Sequence, residues 1–321
     1  MKGGITMRTI KIGSILAIVI CLSVGISTAQ AVTRISIGTG GTGGVYYPIG
    51  GGVAEVFNKH LEGVSARAEV SGASIENCRL VGANEQQMAL ANADAVYFAY
   101  RGGREYKKPL EILSMFTMYP SNMQPVCLKS APINSINDLR GKRVAVGPPG
   151  GTTYVMAWNI LKTYGITEKD IKPIYQTFVE SVSGLKDGTI DAAFILAGYP
   201  NSAILDLATT RSVKLIPIEK DMIDKITKKF GFYSESAVPG GIYKGVDEPT
   251  PGIAVMNVWI VNKNLPESLV YKMVKVIFEQ KDYLVTVHKK VKDMNLKDAV
   301  KVPCPMHPGA IKYFKEVGAL K

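Results

Sequence analysis

From residue 32 onward, short apolar runs alternate with stretches whose apolar residues recur at helical spacing, and glycine, proline and serine punctuate the joins. Arg34–Ile37 predicts a strand. Ile49–Leu61 predicts a helix, with Val53, Val56, Phe57 and His60 on one face. Ser65–Val70 alternates as a strand, and the loop Ser71-Gly72-Ala73-Ser74 opens a helix through about Val81. Ala95–Ala99 reads as a buried strand, and Leu110–Met118 and Val126–Leu128 continue the sheet. A second unit repeats the scheme. Ser135 caps a short helix through Leu139, Arg143–Val146 is a strand, and Gly147–Thr153 leads into a helix ending near Tyr164. Strands at Lys172–Thr177, Ile190–Leu196 and Val213–Ile216 alternate with a helix at Val179–Lys186 and another after Ala197-Gly198-Tyr199-Pro200. Val238–Pro251 reads as a long surface loop, Ile253–Val261 as a strong strand, and the remainder as helix. Strand–helix alternation throughout predicts an α/β fold with largely parallel sheets.

The start of the chain has a different pattern. Arg8 and Lys11 precede the apolar run Ile12–Val24, and Ala29-Gln30-Ala31 has the small-x-small form of a cleavage site. Residues 1–31 therefore read as a secretory signal peptide. The competing membrane anchor needs roughly 20 apolar residues; this run is shorter. Cys21 follows the bulky Ile20, unlike a lipoprotein site. The remaining length suits two ordinary domains or one large one. The net charge of +11 falls by three once Lys2, Arg8 and Lys11 are set aside. The basic residues are dispersed as singles and pairs such as Lys228-Lys229 and Lys289-Lys290, so nucleic acid is not an expected partner. Cys78, Cys127 and Cys304 are too few and too widely spaced for a disulfide framework or a zinc pattern, and buried free thiols are expected.

Three loop-to-helix junctions carry the candidate chemistry. Gly38-Thr39-Gly40-Gly41-Thr42-Gly43-Gly44 lies between a strand and a helix. Glycines let the backbone approach a ligand, and a helix start offers unpaired N–H groups and the positive end of the dipole. At the second junction Ser74 is placed to cap its helix, and at the third Thr152 or Thr153. All three lie at the carboxyl ends of strands, where α/β sheets bind ligands. If the two units face each other, one cleft gathers helix N-termini from both and suits a carboxylate or phosphate. A lone Ser or Thr cap merely stabilises its helix; three such junctions, two of them glycine-rich, point to a site.

Other readings compete. Gly38-x-Gly40-x-x-Gly43, with Glu69 near the end of the next strand, also fits a dinucleotide fingerprint; export from the cytoplasm and the second glycine loop count against it. Gly72-Ala73-Ser74-Ile75-Glu76 begins like a nucleophile elbow without its closing glycine. His60, His288 and His307 have no metal-ligand spacing, and no catalytic set is evident. Tyr46, Tyr47 and Tyr199 occupy loop contexts where a phenol can wall a pocket. Arg101, at the exit of the expected strand Ala95–Ala99, is the candidate for bidentate carboxylate binding.

Across nearly all of residues 32–321 the chain resembles the TAXI-type solute receptors of tripartite ATP-independent periplasmic (TRAP) transporters. The resemblance rests on Ile37–Pro48, Ser74-Ile75-Glu76-Asn77, Asp138–Val144, Val146–Gly150, Leu185–Gly188 with Ile190-Asp191-Ala192, and His307-Pro308-Gly309-Ala310, in that order. It implies a two-lobed periplasmic-binding-protein fold of the type II kind, monomeric, needing no cofactor or metal. Such a receptor closes on a small organic acid in the periplasm and hands it to a membrane permease. Lobe I would comprise residues 32–120 and 252–321, and lobe II residues 121–251. Family ligands are glutamate-like or dicarboxylic. The matching pocket positions are Thr39, Gly40, Tyr46, Ser74, Thr152, Thr153 and Gly198; the residues themselves add Thr42, Tyr47, Asn77, Arg101 and Tyr199. Similar proteins carry a polar segment ending in an acid after the strand matching Ala95–Phe98, where this chain has Ala99-Tyr100-Arg101. That departure would disfavour an amino acid and favour a doubly charged, larger or aromatic acid, and Arg101→Asp would then weaken binding. An exported enzyme acting on a small acid is the rival from another class.

Overall fold

The structure, a computed structural model, describes Met1 and residues 32–321; the rest of the expected signal peptide lies outside the described residues. Strand Thr33–Gly38 (β1) leads through the glycine loop into helix Tyr46–His60 (α1). Val64–Glu69 (β2) leads into Ser74–Gly82 (α2), and Met88–Asn92 (β3) into Ala93–Arg101 (α3). β1 pairs in parallel with β2 and β3. Further along, Arg143–Ala145 (β5) leads into Thr152–Thr163 (α4), Lys172–Ile174 (β6) into Phe178–Lys186 (α5), and Ala192–Ala197 (β7) into Ser202–Thr210 (α6). β5 pairs in parallel with β6 and β7. The two units thus have the same design: three parallel strands, each running into a helix whose N-terminus stands at the strand's carboxyl end.

Two long strands join them. Ile112–Leu128 (β4) pairs with the second half of Thr250–Asn262 (β10) over its first residues, and with β7 through Asn122–Val126 further on. β10 pairs with β3 at Asn257–Val261 and with Tyr233–Val238 (β9) at Thr250–Val255. The β4–β10 ladder shifts register between Met256 and Val258, beside Pro120. Hydrogen bonding therefore runs unbroken through eight strands in the order β2-β1-β3-β10-β4-β7-β5-β6, and with β8 and β9 off this path the two expected sheets form one ten-stranded mixed sheet. Val213–Leu215 (β8) borders β4, and Lys220–Lys229 (α7) packs near β9 and β10. Glu267–Glu279 (α8), Lys281–Val287 (α9), Leu296–Ala299 (α10) and Pro308–Glu316 (α11) complete the chain.

The α/β class expected from the hydrophobic pattern is the one observed. Burial follows the layers: Ile35, Ile37, Trp259 and Val261 pack with α1 and α8 through Phe57 and Ile277, while Val144, Phe194 and Ile253 pack with α4 through Met156 and Ile160. Three expectations are corrected. Ala95–Ala99 is helical within α3, and the strand before it is β3. Leu110–Met118 and Val126–Leu128 belong to one strand, β4. Val238–Pro251 is flanked by strand at both ends, β9 ending at Val238 and β10 beginning at Thr250. Among the described residues no helix is long and apolar enough to cross a membrane.

Candidate functional site

A cavity of about 310 Å³ opens at the carboxyl ends of β1, β2, β5 and β6. Gly40–Tyr46 lines one wall, Val70–Ser74 a second, and Pro148 with Gly151–Thr153 a third. Thr177–Val179 at the start of α5, Leu196 and Ala197 at the end of β7, and Asn92 and Ser121 complete it. Helices α1, α2, α4 and α5 all begin at this cavity, two from each unit. The first N–H groups of a helix have no partner within it and carry the positive end of the dipole.

The four starts are not equivalent. Thr177 caps α5 in a full capping box with Glu180, its hydroxyl accepting from the Glu180 N–H at 3.3 Å. No side chain caps α1, α2 or α4, whose N-cap residues are Val45, Ala73 and Gly151. The capping role expected of Ser74 and Thr152 is thus corrected: each is the first helical residue, with its hydroxyl turned to other work. At α2 the Ile75 and Glu76 N–H groups donate to the Gly150 carbonyl at 3.0 and 3.2 Å, so the glycine loop of the second unit seats on a helix start of the first. Gly150 has φ +88°, which an L side chain adopts only with strain.

Asn92 and Asn257, opposite each other on β3 and β10, form the buried floor. Asn257 Oδ1 accepts from Asn92 Nδ2 at 2.9 Å, from Ser121 Oγ at 3.2 Å and from the Tyr46 hydroxyl. Its Nδ2 donates to the Tyr119 carbonyl at 2.7 Å. Asn92 Oδ1 in turn accepts from Ser74 Oγ at 3.2 Å and from Thr152 Oγ1. One amide pair therefore joins α1, α2, α4, β3, β4 and β10. Burial pushes the Tyr46 phenol well above its ordinary pKa, keeping it a neutral donor. Thr153, 5% exposed and on the cavity wall, differs from Thr152: its hydroxyl has no partner among the described residues.

Of the residues expected from sequence, Gly40, Thr42, Tyr46, Ser74, Thr152 and Thr153 line this cavity together. Thr39 and Asn77 stand behind it. The Thr39 hydroxyl donates to the Glu69 carbonyl at 2.6 Å, and Asn77 Nδ2 donates to the carbonyls of Thr39 and Leu90 at 2.7 Å each, pinning the glycine loop to β3. Tyr47 is exposed on α1, one residue past the cavity wall. Gly198 and Tyr199 follow Ala197 but turn toward Lys290, whose Nζ lies 3.9 Å from the Tyr199 ring centroid. Arg101 is corrected most. It ends α3, outside the cavity lining, with Nη1 donating to the Tyr97 hydroxyl at 2.7 Å and its guanidinium over the Tyr97 ring. The case for a doubly charged ligand that rested on Arg101 loses its residue. Asn92, Ser121, Asn257 and the start of α5 were missed. A buried asparagine at the carboxyl end of an apolar strand was the available signal for the first.

The features behind the rival readings have structural partners. Glu69 holds Arg67 at 2.7 Å and accepts from Gln86 Nε2 at 3.3 Å, away from the cavity lining. His307 caps α11, Nδ1 accepting from the Gly309 N–H at 3.1 Å, and His288 Nδ1 accepts from the Lys290 N–H at the same distance. Cys78, Cys127 and Cys304 are buried and unbridged.

Paired units of parallel strands, bridged by two long antiparallel strands around a cavity at their carboxyl ends, constitute the periplasmic solute-binding-protein fold. The chain belongs to the NMT1-like family, whose model matches residues 37–318. A structure from Bordetella bronchiseptica RB50 is similar over 90% of both chains, at 16% identity and a TM-score of 0.51. The alkanesulfonate-binding protein SsuA of Xanthomonas axonopodis pv. citri, bound to MOPS, is 12% identical over 89% of this chain and 91% of its own, with a TM-score of 0.49. The periplasmic aliphatic sulphonate binding protein SsuA of Escherichia coli is 13% identical over 88% and 83%, with a TM-score of 0.46. At 16% identity the likeness to the Bordetella bronchiseptica structure is one of fold.

Proposed function

We propose that this protein is a non-enzymatic, periplasmic solute receptor that closes two lobes around a small organic anion and delivers it to a membrane permease. The observation that carries the reading is the convergence of two uncapped helix starts, α1 and α4, one from each unit, on one cavity where the Thr153 hydroxyl has no partner among the described residues. Backbone N–H groups at helix starts hold an anion without a counter-charge. A ligand that touches both units favours the state in which they meet. A lobe boundary near 120 would put that crossing beside the β4–β10 register shift at Met256–Val258, the proposed hinge, with the return near 252 a few residues before it on β10. The motifs shared with TAXI-type receptors favour a TRAP permease as the recipient and a monomer as the working form.

Thermal unfolding of the purified protein against a panel of small acids tests this. A ligand that binds only the native state adds about 2.7 kcal/mol at a hundredfold excess over its Kd. A clear rise with an acid that is recovered chemically unchanged is expected. Turnover of the acid would establish an enzyme instead. An absence of any shift, after ligand carried through purification has been removed by unfolding and refolding, would sink the receptor reading.

A further inference from the structure

The wall of the cavity narrows the chemistry of its ligand. Among the described residues, none that lines it is Asp, Glu, Lys, Arg or His. Four of its polar side chains lie deep: Ser74, Asn92, Thr152 and Thr153 are 1–5% exposed. Its mouth has Val70 at 57% and Val179 at 48% exposure beside the half-buried Phe178, together with the exposed Thr42 and Thr177 and no charged side chain. An α-ammonium group would be carried down with its carboxylate, among hydroxyls and N–H donors, with no carboxylate to pair with; a buried unpaired charge is strongly disfavoured. A second carboxylate would reach the mouth instead. There the start of α5 is already filled by its own acid, since Glu180 Oε2 accepts from the Thr177 N–H and hydroxyl at 2.8 Å each. A further anion meets a surface without a cation, and a like charge.

Resting on the receptor reading above, we propose that the ligand is a monoanionic organic acid with an uncharged apolar body. Its carboxylate lies at the start of α4 and accepts from the Thr153 hydroxyl. Its body extends past Val45 and Leu196 toward Val70, Phe178 and Val179. Amino acids and dicarboxylates are the classes this cavity rejects.

Calorimetry on the refolded, ligand-stripped protein with matched acids provides the test: 4-methylpentanoate, leucine, which adds the amine, and glutarate, which adds the second acid. The monoacid is expected to bind at least fivefold more tightly than either counterpart. Leucine or glutarate within fivefold of it, or tighter, overturns the inference while leaving the receptor reading intact. Silence from all three, with silence across the wider acid panel, overturns both. A Val70→Lys variant tests the orientation, because Val70 is exposed and its replacement leaves the deep polar end untouched. Glutarate should gain relative to the monoacid by threefold or more; an unchanged ratio refutes the placement of the body at the mouth.

Discussion

Asp94 lies on the first turn of α3 and is 1% exposed. Its Oδ2 is 3.8 Å from Arg104 Nη1 and 3.4 Å from the Tyr233 hydroxyl on β9, and its Oδ1 has no hydrogen-bond partner among the described residues. Burial pushes its pKa up to about 6, with Arg104 opposing. Between pH 4 and 6 the folded protein thus keeps a proton that the unfolded chain releases, so this group's contribution falls as pH rises through that window. At 1.36 kcal/mol per unit, the loss is on the order of 3 kcal/mol. Burial holds His288 and His307 below the ordinary imidazole value, which works in the opposite direction and masks the effect in the parent protein. Comparison with Asp94→Asn removes the mask. Urea titrations at pH 4, 5, 6 and 7 should show the variant gaining on the parent protein as pH rises; parallel curves would mean that Asp94 ionises as an ordinary acid. At this scale the candidate site was half legible. Ser74, Thr152 and Thr153 were visible because each follows a glycine-containing turn. Asn92 and Asn257 were not, because their pairing is set by a ladder that joins residues far apart in the chain.

The same split holds for the elements. β1 and α1 were readable because a glycine cluster separates two clear periods. α3 was misread because five apolar residues satisfy strand and helix alike, and the true strand, Met-Ala-Leu-Ala-Asn, lacks the β-branched residues that announce one. β4 was cut in two because Pro120 and Pro125 sit inside it, and proline in a strand usually marks its end. Helix starts, by contrast, can be compared by experiment. Thr177 holds the first turn of α5 with a real capping bond, whereas the hydroxyl of Thr153 has no partner among the described residues. Thr177→Val should cost about 1 kcal/mol of stability. Thr153→Val, nearly the same shape, should cost less than about 0.5 kcal/mol, as expected when no internal bond is lost, yet weaken binding of the acid tenfold or more. Equal stability losses in the two variants, read from urea midpoints, would show that Thr153 serves the helix rather than the ligand.

At the scale of the whole molecule, the contacts between the two units are those that the proposed closure would make. The Gly43 carbonyl accepts from Asn201 Nδ2 at 2.9 Å and from Ser202 Oγ at 3.1 Å, both at the start of α6. A Cβ on Gly43 would come within 2.8 Å of Val179 Cγ2, so the glycine is what allows the loop of the first unit to lie against α5. On the far side Phe232 packs on Tyr97 at 4.8 Å between ring centroids. These contacts cross between the units without touching the cavity floor, so under the proposed closure they would set how much of the protein is closed rather than what it holds. Ser202→Ala removes one such bond at an exposed position and leaves Asn201 to cap α6 through the Ile204 N–H at 3.2 Å. Loss of about 1 kcal/mol from the closed state lowers the closed population and raises the apparent Kd roughly fivefold. The loss should fall on the dissociation rate, because the open state that admits the ligand is unchanged. Stopped-flow binding with any acid of the panel that binds separates the alternatives. A faster off-rate at constant on-rate supports closure across the Gly43 loop; unchanged rates would mean that the two units meet without its help.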